Sequence, residues 1–379
     1  MMLMMSNCQK SSSRLIAICL LIFCFHIPTV FADKTPNYSY NDISEGGQLE
    51  TDHNAFFLAE WWYLNGSLQL EAEDGEQRSV GWFSVVGHQE SPMFNDGELQ
   101  LSHLLKFGAL YDEDGSYVFD YDETFIPNFM ITQSIGIHKP YLMFHFPQTE
   151  SVFFGSAQTG YTVNNSLGDV NYSVSFKPKV EKTLELAETP LTFTTHEYAF
   201  GEIGGSITIQ GKQYFIKDGN AYFDHMIPVA GQPWPMKMHG WSWSEVTTDR
   251  YQAVVYAIRS LDDKQTDYSY KHLTIIDLKK NKVVGDFHGD DVTISESDWI
   301  SEAEYGLSRP QSVTYTAGKF EVSVYSDNVA VFDRRNPNLI GFLDFMAYQT
   351  TGAVIKRNNH RYEGDAFYEY LVSDLGALQ

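Results

Sequence analysis

The chain has 379 residues and a formal net charge of −23, with 49 acidic side chains against 26 basic ones. Such a surface repels phosphate backbones and anionic lipid heads, so neither nucleic acid nor a membrane surface is expected as a partner, and it favours solubility. All three cysteines, Cys8, Cys19 and Cys24, lie near the N-terminus. The rest of the chain therefore has no disulfide, no thiolate metal site and no cysteine nucleophile, and must rest on a sizeable core.

Taken in chain order, the first segment reads as a targeting signal. Lys10 and Arg14 make a basic start, Leu15 to Phe25 is an uncharged apolar run, and Val30-Phe31-Ala32 offers small residues where a signal peptidase reads them. The expectation is a signal peptide over 1–32, cleaved after Ala32, with export to the periplasm or exterior. The apolar run is shorter than the ~20 residues of a membrane span, so no integral segment is expected after cleavage. Cys24 follows Phe23 rather than a small residue, which argues against lipidation.

Beyond it the composition predicts antiparallel β-structure. Tyr and Phe are abundant, and turn signals recur at Glu73-Asp74-Gly75, Asp112 to Gly115, Asn165 to Gly168 and around Asn281. Short alternating runs lie between them, such as Tyr172 to Phe176, Ile207 to Ile209 and Phe320 to Tyr325. No stretch keeps an apolar stripe at helical spacing over a dozen residues.

Two Trp-rich strands, Glu60 to Leu68 and Gly240 to Val246, open the two halves. Each is followed by a second apolar run, Ser79 to Val86 and Tyr251 to Ile258. This weak repeat predicts two domains, 33–232 and 233–379, meeting near the Pro- and Gly-rich stretch Pro228 to Pro235, which a strand interior would not tolerate. Trp62 and Trp243 read either as plugs of barrel ends or as part of a binding site.

The chemistry concentrates in Gly219 to His225. A strand places residues i and i+2 on one face, so Tyr222 and Asp224 share a side. Asp224 has two readings: a proton donor or base in an apolar pocket, or a strand-end group that satisfies backbone donors and pairs with His225. There is no Gly-x-Ser-x-Gly elbow, His-Glu-x-x-His motif, calcium loop or glycine-rich phosphate loop. His53, His88, His103, His138 and His145 are scattered over separate strands, and no metal site is expected from them.

Ala59-Glu60-Trp61-Trp62-Tyr63, Gly219 to His225, Gly240 to Trp243 and the closing Tyr362 to Tyr370 together resemble the AttH-like and carotenoid 1,2-hydratase superfamily, over nearly all of the chain after the signal. The resemblance implies an all-β protein of two lipocalin-like antiparallel β-barrel domains. It implies a hydratase or lyase acting on an apolar terpenoid or lipidic alkene without cofactor or metal, an intramolecular cycloaddition being the activity of one branch. A carrier of a hydrophobic ligand in the cell envelope is the alternative from another class.

The carotenoid hydratases pair a His-x-Trp step with a Tyr-x-Asp step. Here Tyr222 and Asp224 match the second, and His196 with Tyr198 stands at the first, Tyr198 replacing the indole. The implied catalytic set is Asp224, Tyr222, His196 and Tyr198. Trp243, Trp241, His225, Trp62 and Glu60 are the implied substrate-binding residues. Hydrating an isolated alkene means protonating carbon, which needs a carboxyl kept neutral by desolvation, π-faces for the cation, and a partner such as His196 for the water.

Overall fold

A computed structural model describes residues 58–90, 101–127, 130, 135–138, 141–146, 149, 151–156, 159–186, 193–228, 238–261, 267–335 and 341–373. The expected signal over 1–32 and residues 229–235 of the expected domain boundary lie outside the described residues.

The first sheet has eleven strands. They are β1 (Leu58–Ala72), β2 (Gln77–Glu90), β3 (Leu101–Asp112), β4 (Tyr117–Pro127), β5 (Ile135–His138) and β6 (Tyr141–His145), then β7 (Val152–Ser156), β8 (Gly160–Leu167), β9 (Val170–Leu186), β10 (Phe193–Ile209) and β11 (Lys212–Pro228). Their spatial order is β4-β3-β2-β1-β11-β10-β9-β8-β7-β6-β5.

The second sheet contains β12 (Met238–Thr248), β13 (Tyr251–Ser260), β14 (Tyr270–Asp277), β15 (Lys282–His288) and β16 (Thr293–Ser297). After a small hairpin, β17 (Ile300–Glu302) with β18 (Leu307–Arg309), it continues with β19 (Ser312–Ala317), β20 (Phe320–Tyr325), β21 (Asn328–Asp333), β22 (Phe342–Arg357) and β23 (His360–Ser373). Its order is β15-β14-β13-β12-β23-β22-β20-β19-β16, with β21 also on β22. In both sheets the opening Trp-rich strand pairs antiparallel with the closing strand, β1 with β11 and β12 with β23. Each sheet curls into a half-barrel, so the fold is all-β with two lipocalin-like units. No helix among the described residues is long and apolar enough to cross a membrane.

Period-two alternation sorts the side chains into three apolar clusters. Trp62, Leu64, Trp82 and Phe223 fill the first half-barrel; Val246, Tyr315, Phe345 and Tyr370 fill the second. The third lies between the sheets and takes Phe83, Tyr111 and Tyr222 from one side and Trp243, Tyr256 and Tyr348 from the other. The symmetric reading of Trp62 and Trp243 as two barrel plugs therefore does not hold. Trp62 faces its own barrel, while Trp243 faces the seam, where it meets Tyr63 edge-on at 5.4 Å.

Polar contacts tie the seam together. Tyr111 donates to the Met346 carbonyl at 2.7 Å, Tyr348 to Ser67 Oγ at 2.9 Å, and Arg334 to Glu123 at 3.0 Å. Tyr348 also lies flat over Gly81, where an added Cβ would come within 2.3 Å of the ring. A bare backbone there is what lets the sheets approach. Gly81→Ala should destabilise the fold by about 1–3 kcal/mol, the usual cost of overpacking, read from the midpoint of urea unfolding at unchanged slope.

Candidate active site in the seam

One end of the seam opens into a cavity whose walls come from both sheets, the kind of junction where small-molecule sites are found. Asp224 lies at its heart, 5% exposed. Its position follows from β11 lying between β1 and β10, with Asp224 opposite Tyr63 and Tyr222 one step along the same face. Tyr222 and Tyr256 both donate to Asp224 Oδ2, at 2.9 and 2.7 Å, with their hydroxyls 3.1 Å apart. Tyr222 belongs to the first sheet and Tyr256 to the second. Asp224 Oδ1 is buried and accepts no hydrogen bond from any described residue.

Burial pushes the Asp224 carboxyl up to about 7, against the two phenols that hold it down, and the charge of Glu369 pushes it further up. Desolvation wins because one oxygen receives both hydrogen bonds and the other none. Glu369 and Asp344 form a second acidic group in the cavity wall. Burial raises both, and a hydrogen bond between them favours the proton on Asp344 and the charge on Glu369. The Trp241 indole adds a hydrogen bond to Glu369. Asp344 Oδ1 and Trp243 Nε1 are further buried polar atoms without a partner among the described residues.

Aromatic faces and aliphatic side chains make up the rest. Trp61 stacks on Trp241 at 6.4 Å between ring centroids, and Trp243 packs against Tyr222 at 5.5 Å. Val85, Leu105, Ile258 and Met346 close the sides. Among the described residues no lysine or arginine lines the cavity. Buried acids that can hold a proton and several π-faces suit proton transfer to and from an apolar molecule.

The sequence-derived residues divide by face. Asp224, Trp241 and Trp243 line the cavity, and Tyr222 holds Asp224 from behind. His225 points the other way, as alternation requires, and stacks on Trp62 at 4.8 Å, nearly parallel, inside the first half-barrel. The pairing of His225 with Asp224 is thus corrected: adjacent strand residues face opposite sides. His196 and Tyr198 stand opposite His225 and Phe223 on β10, and Glu197 opposite Asp224. The side chains of His196, Tyr198 and Glu60 lie outside the described residues.

Asp344 escaped sequence reasoning, and Tyr63, Tyr256 and Glu369 entered it only as members of longer strands, with no role of their own. A sequence signal did exist for Asp344. It interrupts the apolar run Phe342 to Ala347, and an acid there is buried only if it has a partner. The single converging His/Asp group among the described residues, His272 with Asp286 and His288, lies outside the cavity lining.

Comparison with solved structures places this architecture. A protein assigned as AttH from Nitrosomonas europaea superposes with a TM-score of 0.59 at 15% identity, covering 91% of this chain and 98% of that one. The chain carries the AttH-like fold. CghA, solved with Sch210972, gives a TM-score of 0.59 at 10% identity over 90% of this chain and 95% of its own. Kievitone hydratase from Nectria haematococca gives 0.51 at 10% identity, over 90% and 99%. No family model and no curated protein matches the sequence.

The displaced titration of Asp224 has a measurable consequence. Its folded value of about 7 lies above the ordinary unfolded ~3.9. Between those limits the folded state binds more protons, so this contribution to stability is fully present below about pH 4 and is lost as pH rises to about 7. At ~1.4 kcal/mol per unit the upper bound is about 4 kcal/mol. Asp224→Asn should flatten the fall in unfolding free energy between pH 4 and 7, measured by urea titration at each pH against the parent protein.

Proposed function

We propose that the protein is a hydratase or lyase-type enzyme that adds water to an apolar alkene such as a terpenoid, or removes it from the corresponding alcohol, and that it works after export and removal of residues 1–32. The observation that carries this reading is Asp224: a buried carboxyl raised to about 7 in the wall of an apolar cavity, with one oxygen held by two phenols and the other without a hydrogen bond from any described residue.

In the hydration direction Asp224 donates the proton on Oδ1 to one alkene carbon. The resulting carboxylate is stabilised by Tyr222 and Tyr256, whose O–H groups already point at Oδ2. Charged acceptors make stronger hydrogen bonds than neutral ones, so this pair favours the state formed after transfer. The carbocation at the neighbouring carbon meets the faces of Trp61, Trp241, Trp243 and Tyr63. Water adds to it and loses a proton to the Asp344–Glu369 pair, in which the hydrogen bond between the two favours Glu369 as the acceptor. Return of one proton to Asp224 closes the cycle, and dehydration is the reverse.

The fold shared with kievitone hydratase and with an AttH-type protein supports the hydratase class. Roles for His196, Tyr198, Glu60, Trp62 and His225 rest on the sequence resemblance alone. A carrier of a hydrophobic ligand would use the same apolar walls but gives no work to a neutral Asp224.

The test is oxygen-18 incorporation from labelled water into linear terpenoid alkenes and prenylated phenols, read by mass spectrometry. Ligands that co-purify with the protein guide the choice of panel. Asp224→Asn should lower incorporation by about 10²-fold or more while the protein stays folded. An Asn variant that melts lower yet still incorporates label would remove Asp224 from the mechanism. Glu369→Gln should slow the same reaction without abolishing binding of the co-purified ligand.

A further inference from the structure

At the edge of the second sheet the register sets His272 on β14 directly opposite His288 on β15, and Thr274 opposite Asp286. Opposed residues and their i+2 neighbours share one face, so two imidazoles and a carboxylate meet there. His272 Nε2 is 2.7 Å from Asp286 Oδ1, and His288 Nε2 is 3.3 Å from the same oxygen. The rings stack at 4.2 Å, and the three ligand atoms lie within 4.8 Å of one another. Thr274 Oγ1 stands 3.4 Å from His272 Nε2. The His272 side chain has no exposure, whereas those of Asp286 and His288 are 45% and 58% exposed.

We propose that His272, Asp286 and His288 form a binding site for a divalent transition-metal cation of the zinc class. Two imidazoles and one carboxylate are donors that zinc takes, at about 2.0–2.2 Å each. Around a tetrahedral ion such donors stand roughly 3.3–3.5 Å apart. The His288-to-carboxylate separation, 3.3 Å, already matches that spacing, and the 2.7 Å hydrogen bond from His272 lengthens by roughly half an ångström when an ion replaces its proton. The remaining adjustment is for His288 to turn its Nε2 toward His272, and a half-exposed side chain on an edge strand does so without repacking a core.

Charge argues the same way. Both rings address one carboxylate oxygen. A single dication answers all three groups at once, with each neutral ring offering its Nε2 lone pair. Three protein ligands leave a coordination position for water at the sheet edge, the pattern of open rather than closed zinc sites.

The site is independent of the proposed hydratase chemistry but near it. One register row runs His288, His272, Tyr256, Trp243 across β15, β14, β13 and β12. At roughly 4.8 Å per strand, His288 stands about 10 Å along the sheet from the tyrosine that holds Asp224.

Calorimetric titration of the chelator-stripped full-length protein with Zn²⁺ tests the proposal, with Co²⁺ absorbance as a second readout. The expected result is one ion per chain and a zinc-induced rise in melting temperature. His288→Ala and Asp286→Asn, both at exposed positions, should keep the metal-free melting temperature. Each should weaken zinc binding more than tenfold, at least the scale on which outer partners of metal ligands act. Asp224→Asn should bind zinc like the parent protein. Absence of stoichiometric binding in the parent, or equal binding in His288→Ala and Asp286→Asn, overturns the site.

Discussion

A single carboxylate oxygen that accepts hydrogen bonds from two sheets sets the terms for everything around it. Asp224 would be an ordinary acid on either sheet alone. Docking removes its water, and the phenols of Tyr222 and Tyr256 replace that water on one oxygen only. Desolvation of a carboxyl costs more than two hydrogen bonds return, so the proton stays near neutral pH. The same docking depends on a tight fit elsewhere in the seam, chiefly Tyr348 against Gly81 and Tyr111 on the Met346 carbonyl. Packing at other points of the seam therefore bears on the acid in the cavity.

Asp224 is one of several buried acids along this seam. Asp344 and Glu369 share the cavity with it; Glu245 and Asp365 lie toward the other end, pushed up to about 7 and about 6. Burial is the largest cause in each case, and the partners differ. Glu245 takes hydrogen bonds from Thr247 and Gln252, which hold it down, while Asp365 is held down by Ser67. The exposed acids behave oppositely: Asp74 and Glu76 are lowered by Lys212, which contacts both. A chain with a net charge of −23 thus carries its negative charge outside and a line of readily neutralised acids within.

Local chemistry made much of this legible. Alternating runs and turn residues give the all-β class, and Gly75 and Gly115 adopt the positive φ that their hairpins need. The turn read at Asn165 to Gly168 falls later, at Gly168-Asp169, because the Asn165 side chain is engaged inside the sheet by Lys106 and Tyr172. The shared face of Tyr222 and Asp224 followed from the strand period. That period also separates Asp224 from His225, which one reading of the strand end had paired. Tyr256, Asp344 and Glu369 are different, because each reaches Asp224 or its cavity only through contacts between segments far apart in the chain. No local pattern encodes which apolar strand will face which.

The pairing of first strand with last has a kinetic meaning. Tyr63 meets Asp224 across β1 and β11, and Trp243 meets Glu369 across β12 and β23. Contacts of such sequence separation carry a large loop-closure cost and form slowly. Both central pairs must zip before the two faces that make the cavity exist, and docking follows that. The cavity exists only where both pairs and the docking between them are in place, and there alone does its acid have its raised affinity for a proton.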